Sequence, residues 1–191
     1  MPTAEQPIIA FADAVAFRRW LKAHHGMHGG IWIQLAMKAS GIPSITYAEA
    51  LDEALCYGWI DGQKKSHDAQ HWLQKFTKRG ARSVWSQINI GHIERLTSEG
   101  RMQSAGQAAV DAAKADGRWE QAYQSSSNHE LPEDFLIAVS KHPKAKVFFD
   151  TLNKANRYAI YFRLTTAKKP ETRARRFEQL LEMLKRGEKL H

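Results

Sequence analysis

The sequence predicts an α+β fold, and three observations carry that prediction. Strand-like and helix-like spacings of apolar residues alternate between Ile8 and Lys78; beyond Arg79 only helical spacings follow; and glycine, proline or polar breaks separate the segments. A short apolar opening, Ile8 to Phe11, precedes a helix over residues 13–25, with Asp13 as N-cap and Val15, Phe17, Trp20 and Leu21 near helical spacing. HGMHGG breaks it, and Ile31 to Lys38 alternates as a strand with Ile31, Ile33 and Leu35 on one face. After the turn SGIPS, Thr46 and Glu49 form a capping box, which opens a helix that stops at Gly58. Tyr47, Leu51, Ala54 and Leu55 fall on one side of that helix. Trp59 to Lys65 and Gln70 to Lys78, joined by SHDA, make an antiparallel hairpin. The order is β-α-β-α-β-β.

Past Arg79, Val84, Ile88, Ile93 and Leu96 keep helical register, QSAGQAAVDAAKADG forms an alanine-rich helix, and RWEQAY is a short aromatic segment. SSSNHELPED is the linker candidate. Four helices follow, with Pro143 and Pro170 in first turns, and the last buries Phe177, Leu180, Leu181 and Leu184 before Gly187 ends it. This divides the chain into an α+β domain, 1–124, and a mainly helical segment, 131–191.

At 191 residues, with 43% hydrophobic and 25% charged side chains, the chain has the composition of a folded protein rather than a disordered or collagen-like one. A chain of this length buries roughly 70% of the surface its unfolded form exposes. The single cysteine, Cys56, excludes an internal disulfide and a CxxC site, and its apolar neighbours predict burial rather than nucleophilic chemistry. No uninterrupted apolar run is long enough to span a bilayer, and MPTAEQPIIAF has no basic segment before its apolar residues. The expectation is therefore a cytoplasmic protein with no membrane insertion. The net charge of +8 is uneven: residues 63–101 carry +5 and 141–191 carry +9, while 1–62 and 102–140 are net acidic. A uniform polycation is excluded.

Three motifs are candidates for function. In ALCYGWIDG, Trp59 and Asp61 share a strand face between Gly58 and Gly62, either as the wall of a small-ligand pocket or as a core indole beside an aspartate bonded to nearby backbone. In KRGARSVWSQIN, Ser83 is placed to cap a helix carrying Trp85, Ser86 and Asn89, with Lys78, Arg79 and Arg82 leading in. That start suits an anion, or is simply a capped amphipathic helix. In AKKPETRARR, Arg173 lies four residues before Phe177, at the end of the buried stripe, and pairs with a carboxylate such as Asp61 or docks one element on another. His67 and His71 flank a turn with no third ligand, and His24, His25 and His28 have no carboxylate nearby, so no metal is expected. Walker, GxGxxG, GxSxG and HExxH motifs are absent from the sequence, and no cofactor is predicted.

Taken in order, EALCYGWIDG, SVWSQINIGHIERL, EGRMQSAGQAAVDAAKADGRWEQAY, LPEDF and AKKPETRARR resemble the YdeI/OmpD-associated family of bacteriocin-protection proteins, over a stretch from residue 30 to 187. Lys78 and Gln87 depart from it, standing where a proline and a basic residue are common. The resemblance implies a bacterial cytosolic protein with an α+β part akin to the YjbR/CyaY-like architecture and a helical OmdA segment. It implies stress or bacteriocin resistance without naming a catalytic set.

The leading functional expectation is a non-enzymatic protein that binds a small polar or anionic ligand through Trp59, Asp61, Ser83, Trp85, Ser86, Asn89 and Arg173. The alternative is nucleic-acid binding by the basic 63–101 and 141–191 blocks. A third is an enzyme with Asp61 as acid or base beside Ser83 or Ser86.

Overall fold

The computed structural model describes residues 6–190. The residues before Gln6, part of the segment in which no leader is expected, lie outside the described residues. The chain forms two compact units, Met1–Ser83 with Asn89–Glu120, and Val84–Ile88 with Gln121–His191.

The first unit is built on a four-stranded sheet in the order β1-β2-β4-β3. β1 (Ile8–Ala10) runs parallel to β2 (Ile31–Ala36), which pairs antiparallel with β4 (His71–Lys78), the partner of β3 (Trp59–Ser66) in the predicted hairpin. Burial alternates along β2, so Ile31, Ile33 and Leu35 face the core opposite Phe76, Gln74 and Trp72 of β4. Helix α1 (Ala14–His24) covers that face. Its Asp13 caps the Ala16 amide at 2.8 Å, and Phe17 meets Phe76 with ring centroids 6.0 Å apart. Trp59 is fully buried here, edge-on to Trp20, and its indole N–H donates to the His25 carbonyl at 2.8 Å.

Helix α2 (Tyr47–Cys56) opens on the predicted capping box and ends where Gly58 takes a φ of 73°, a left-handed turn that favours glycine. α3 (Gln87–Ser98) and α4 (Ser104–Ala115) follow. α4 approaches the end of α2 so closely that a Cβ at Gly106 would collide with the Cys56 carbonyl, and one at Gly58 would lie 2.7 Å from the Ala105 carbonyl. Burial pushes the Cys56 thiol up to about 11, which removes its thiolate at neutral pH.

A buried carboxylate ties these helices together. Glu53 of α2 is 1% exposed and takes a two-pronged bond from Arg18 of α1, at 2.6 and 2.8 Å, and a third from Arg101 at 2.8 Å. Beside it Asp52 accepts from His92 at 2.8 Å and Arg95 at 2.6 Å, both on α3. An ionised carboxylate in the interior is tolerated only when paired in this way.

The second unit packs α5 (Glu133–Ser140), α6 (Pro143–Thr151), α7 (Lys154–Thr165) and α8 (Pro170–Lys185) around Phe135, Val139, Phe149, Ile160, Leu164 and the α8 leucines. Pro143 and Pro170 occupy first turns, as the sequence predicts, because the missing N–H is one the helix start leaves unbonded anyway. Helix α3 starts later than the spacing predicts. Tyr123 donates to the Trp85 carbonyl at 3.0 Å and accepts from the Gln87 amide at 2.9 Å, so Trp85 and Ser86 are held in an extended bridge and the helix begins only at Gln87. Trp85 and Ser86 therefore precede the helix, and Ser83 does not cap it; the Ser83 hydroxyl accepts from the Gly80 amide at 3.0 Å.

Replacing Glu53 with alanine strands two arginine heads beside an apolar gap and is expected to lower stability by roughly 3 kcal/mol. Urea unfolding measures it, and an unchanged midpoint contradicts the role given to this carboxylate.

Candidate functional site

One cleft in the first unit is assembled by four segments. The end of β2 gives Leu35 and Ala36, the following loop gives Met37, Lys38, Ile42, Ser44 and Ile45, the first turn of α2 gives Thr46 and Tyr47, and β4 gives Trp72. Its volume is about 440 Å³. Met37, Ile42 and Tyr47 are 40%, 37% and 38% exposed, so three large apolar side chains gather around one opening instead of scattering singly.

The loop is ordered by its own polar groups. Ser44 accepts from the Ala36 amide at 3.3 Å and donates to the Ile45 carbonyl at 3.1 Å, while the Ile45 amide bonds to Phe11 at 3.0 Å. Gly41, at a φ of 68°, makes the return turn. The Glu49 carboxylate accepts from both the backbone amide of Thr46 (2.9 Å) and its hydroxyl (2.8 Å), and those bonds hold it below the usual carboxylate range. Tyr47 is thereby set at the head of α2, where its hydroxyl donates to Asp61 of β3 at 2.8 Å. Its ring lies 6.2 Å from that of Trp72, and the Lys64 ammonium sits 4.2 Å above the Trp72 ring.

Lys64 reaches Trp72 because the β3–β4 register shifts between Asp61 and Lys64. Asp61 pairs with Phe76 and Lys64 with Gln74, so β3 carries one extra residue, a bulge that moves Lys64 to the face of the sheet that holds the helices. Gln74, 4% exposed, supports it by donating to the carbonyls of Gly62 at 2.9 Å and Gln63 at 3.2 Å. A polar residue in mid-strand and a glycine inside the partner strand are the sequence traces of this feature.

The seven residues singled out from the sequence fall in different surroundings. In the first unit, Trp59 is sealed in the core, Asp61 is bonded to Tyr47 behind the cleft, Ser83 serves the turn at Gly80, and Asn89 is half-buried on α3. In the second, Trp85 and Ser86 are buried in the extended segment beside Tyr123, and Arg173 bonds Asp134 at the head of α5 at 2.8 Å, with its guanidinium 6.0 Å from the Phe177 ring. Asp61 and Arg173 are each committed within their own unit. Of the seven, Asp61 bonds a residue of the cleft, Tyr47, and Tyr47, Trp72, Met37 and Ile42 line it.

Other cavities are present. One of about 200 Å³ is lined by Arg18, Glu53 and Arg101, whose charges are paired with one another. A larger one in the second unit, about 630 Å³, is walled by one face of α7, including Tyr158 and Phe162, with Ser126.

The capping carboxylate yields a pH dependence. Glu49 is lowered in the folded state, so its contribution is present above the unfolded carboxylate pKa of about 4.3 and is lost as pH falls through the lower folded value. Wild type is expected to outlast Glu49→Gln in urea at pH 7, with the gap closing below about pH 4. A gap independent of pH contradicts the assignment.

Residues 9–109 match the family model described as Domain of unknown function (DUF8412), and residues 128–187 match the model described as Bacteriocin-protection, YdeI or OmpD-Associated. The second match covers only the C-terminal part of the stretch, 30–187, over which a resemblance to that family is expected from the sequence, and residues 9–109 match a different model. No curated protein and no solved structure matches the chain. With over half of its length matched by the first model, the chain belongs to the DUF8412 family, and it carries a C-terminal YdeI/OmpD-associated (OmdA) segment.

Proposed function

We propose that this is a binding protein of the bacteriocin-protection kind whose first unit takes up a small ligand with a flat apolar body and an anionic group, in the cleft between Tyr47 and Trp72. The observation that carries the reading is the gathering of exposed Met37, Ile42 and Tyr47 around a cavity whose loop is ordered by its own hydrogen bonds. A pocket of this size lined by apolar and aromatic side chains, with a few fixed polar groups, is the usual form of a small-molecule site.

The polar groups set the ligand's character. Lys38 lines the cleft and Lys64 stands over Trp72, so both cations near the opening favour a carboxylate or phosphate. The Tyr47 hydroxyl spends its proton on Asp61 and so faces a ligand as an acceptor. Ser44 is committed to the loop backbone, which leaves the cleft with groups that hold a ligand rather than attack one. Protection by such a protein follows from sequestering or sensing a small molecule.

The test uses 2-naphthoate as probe, followed in ¹H–¹⁵N spectra of the full chain. Saturable shifts are expected at the Trp72 indole and the Ile42 amide, lost in Ile42→Asp and Trp72→Ala. Binding of neutral 2-naphthalenemethanol is expected to be weaker by about tenfold or more, the value of one charge-assisted contact. Absence of saturation, or shifts confined to the α7 cavity around Tyr158, contradicts the proposal.

A further inference from the structure

The same bulge that sends Lys64 to the cleft sends Lys65 to the opposite face of the sheet. Lys65 pairs with Leu73 of β4, and its ammonium lies 4.2 Å over the ring of Trp32 on β2, two strands away. Its aliphatic stem therefore crosses β4 above Leu73, which is 1% exposed although the register turns it away from the helices. Lys75, opposite Trp32 in the β2–β4 pairing, brings a second ammonium to 6.0 Å from the same ring. Along this face none of the outward positions of the four strands is Asp or Glu. Asp68, in the hairpin turn, is tied to the amides of Gln70 and His71 and to the His71 ring. Ile8, also outward, is 47% exposed.

We propose that this face of the first unit docks single-stranded nucleic acid, with a base stacked on Trp32 and the flanking phosphates held by Lys65 and Lys75. Charge complementarity chooses the occupant. Among the described residues the face pairs an aromatic plane with two cations and no Asp or Glu at its outward strand positions, the combination with which antiparallel sheets hold unpaired bases and their backbone. An apolar protein surface would leave these ammonium groups to be desolvated without a counter-charge, whereas a single strand supplies a phosphodiester at each nucleotide together with a base to stack on Trp32. In the unbound protein Lys65 rests on the indole; a base takes over that plane and the lysine swings to the adjacent phosphate, so the cation keeps a partner throughout. This confines the interaction to part of the basic 63–101 block.

The experiment is fluorescence anisotropy of labelled dT12 and rU12 with the full chain, at several salt concentrations. Binding is expected to weaken with salt, and Lys65→Ala and Lys75→Ala are each expected to flatten the log–log slope by about 0.7, the value for one single-strand phosphate. Trp32→Ala should lower affinity about tenfold with the slope unchanged, and Trp32→Phe should restore part of the loss while keeping the fold. Lys64→Ala, on the other face, should leave binding intact, and a twelve-base-pair duplex should bind less tightly than either single strand. No binding at low salt, equal binding of the duplex, or loss that follows Lys64 instead of Lys65 and Lys75 overturns the proposal. The naphthoate titration is read at Trp72, so the two proposals fail independently.

Discussion

One inserted residue in β3 governs what both faces of the sheet present. Without it, Lys64 and Lys65 would exchange sides, because strand side chains alternate and a shift of one residue reverses every one that follows. With it, Lys64 lies over Trp72 beside the cleft and Lys65 over Trp32 on the far side. The bulge is held by the Gln74 side chain, buried in the middle of β4, which bonds the Gly62 and Gln63 carbonyls. An amide in that position is explained by those two bonds, with a longer one to the Lys75 carbonyl at 3.4 Å.

The scaffold around the bulge is fixed by a different kind of interaction. Glu53 draws Arg18 and Arg101 onto α2, while the close contact at Gly58 and Gly106 lets α4 lie against the end of the same helix. α2 is thus anchored at its C-terminal half and capped at its start by Thr46 and Glu49, which leaves Tyr47 little freedom in how it meets Asp61. The walls of the cleft are fixed by the protein's own hydrogen bonds, and a site that needs no reordering loses less affinity to entropy.

Local rules made much of the fold readable. The capping box at Thr46, the stop at Gly58, the hairpin and the prolines at positions 143 and 170 all follow from chemistry within one turn of chain, and the structure holds them where the sequence predicts. The start of α3 was not readable, because Trp85 and Ser86 are kept extended by bonds to Tyr123, a residue more than thirty positions away. Tyr47 has the spacing of a buried helix residue, yet it stands at the first turn, where the chain leaves it half in solvent to reach Asp61. The motif WIDG marked the right region for Asp61 and the wrong partner, since strand register, not proximity in sequence, brings a helix tyrosine to it. Trp32 and Trp72 gave no motif at all; their role appears only once the bulge has placed a lysine over each.

The most direct test of this account reads the two lysines. In a ¹³C-edited NOE spectrum of the full chain, the Lys64 ε-methylene should contact the Trp72 ring and the Lys65 ε-methylene the Trp32 ring, both shifted upfield by the indoles. Exchanged contacts, Lys64 to Trp32 and Lys65 to Trp72, would mean a regular hairpin without the bulge and would contradict the account at its base.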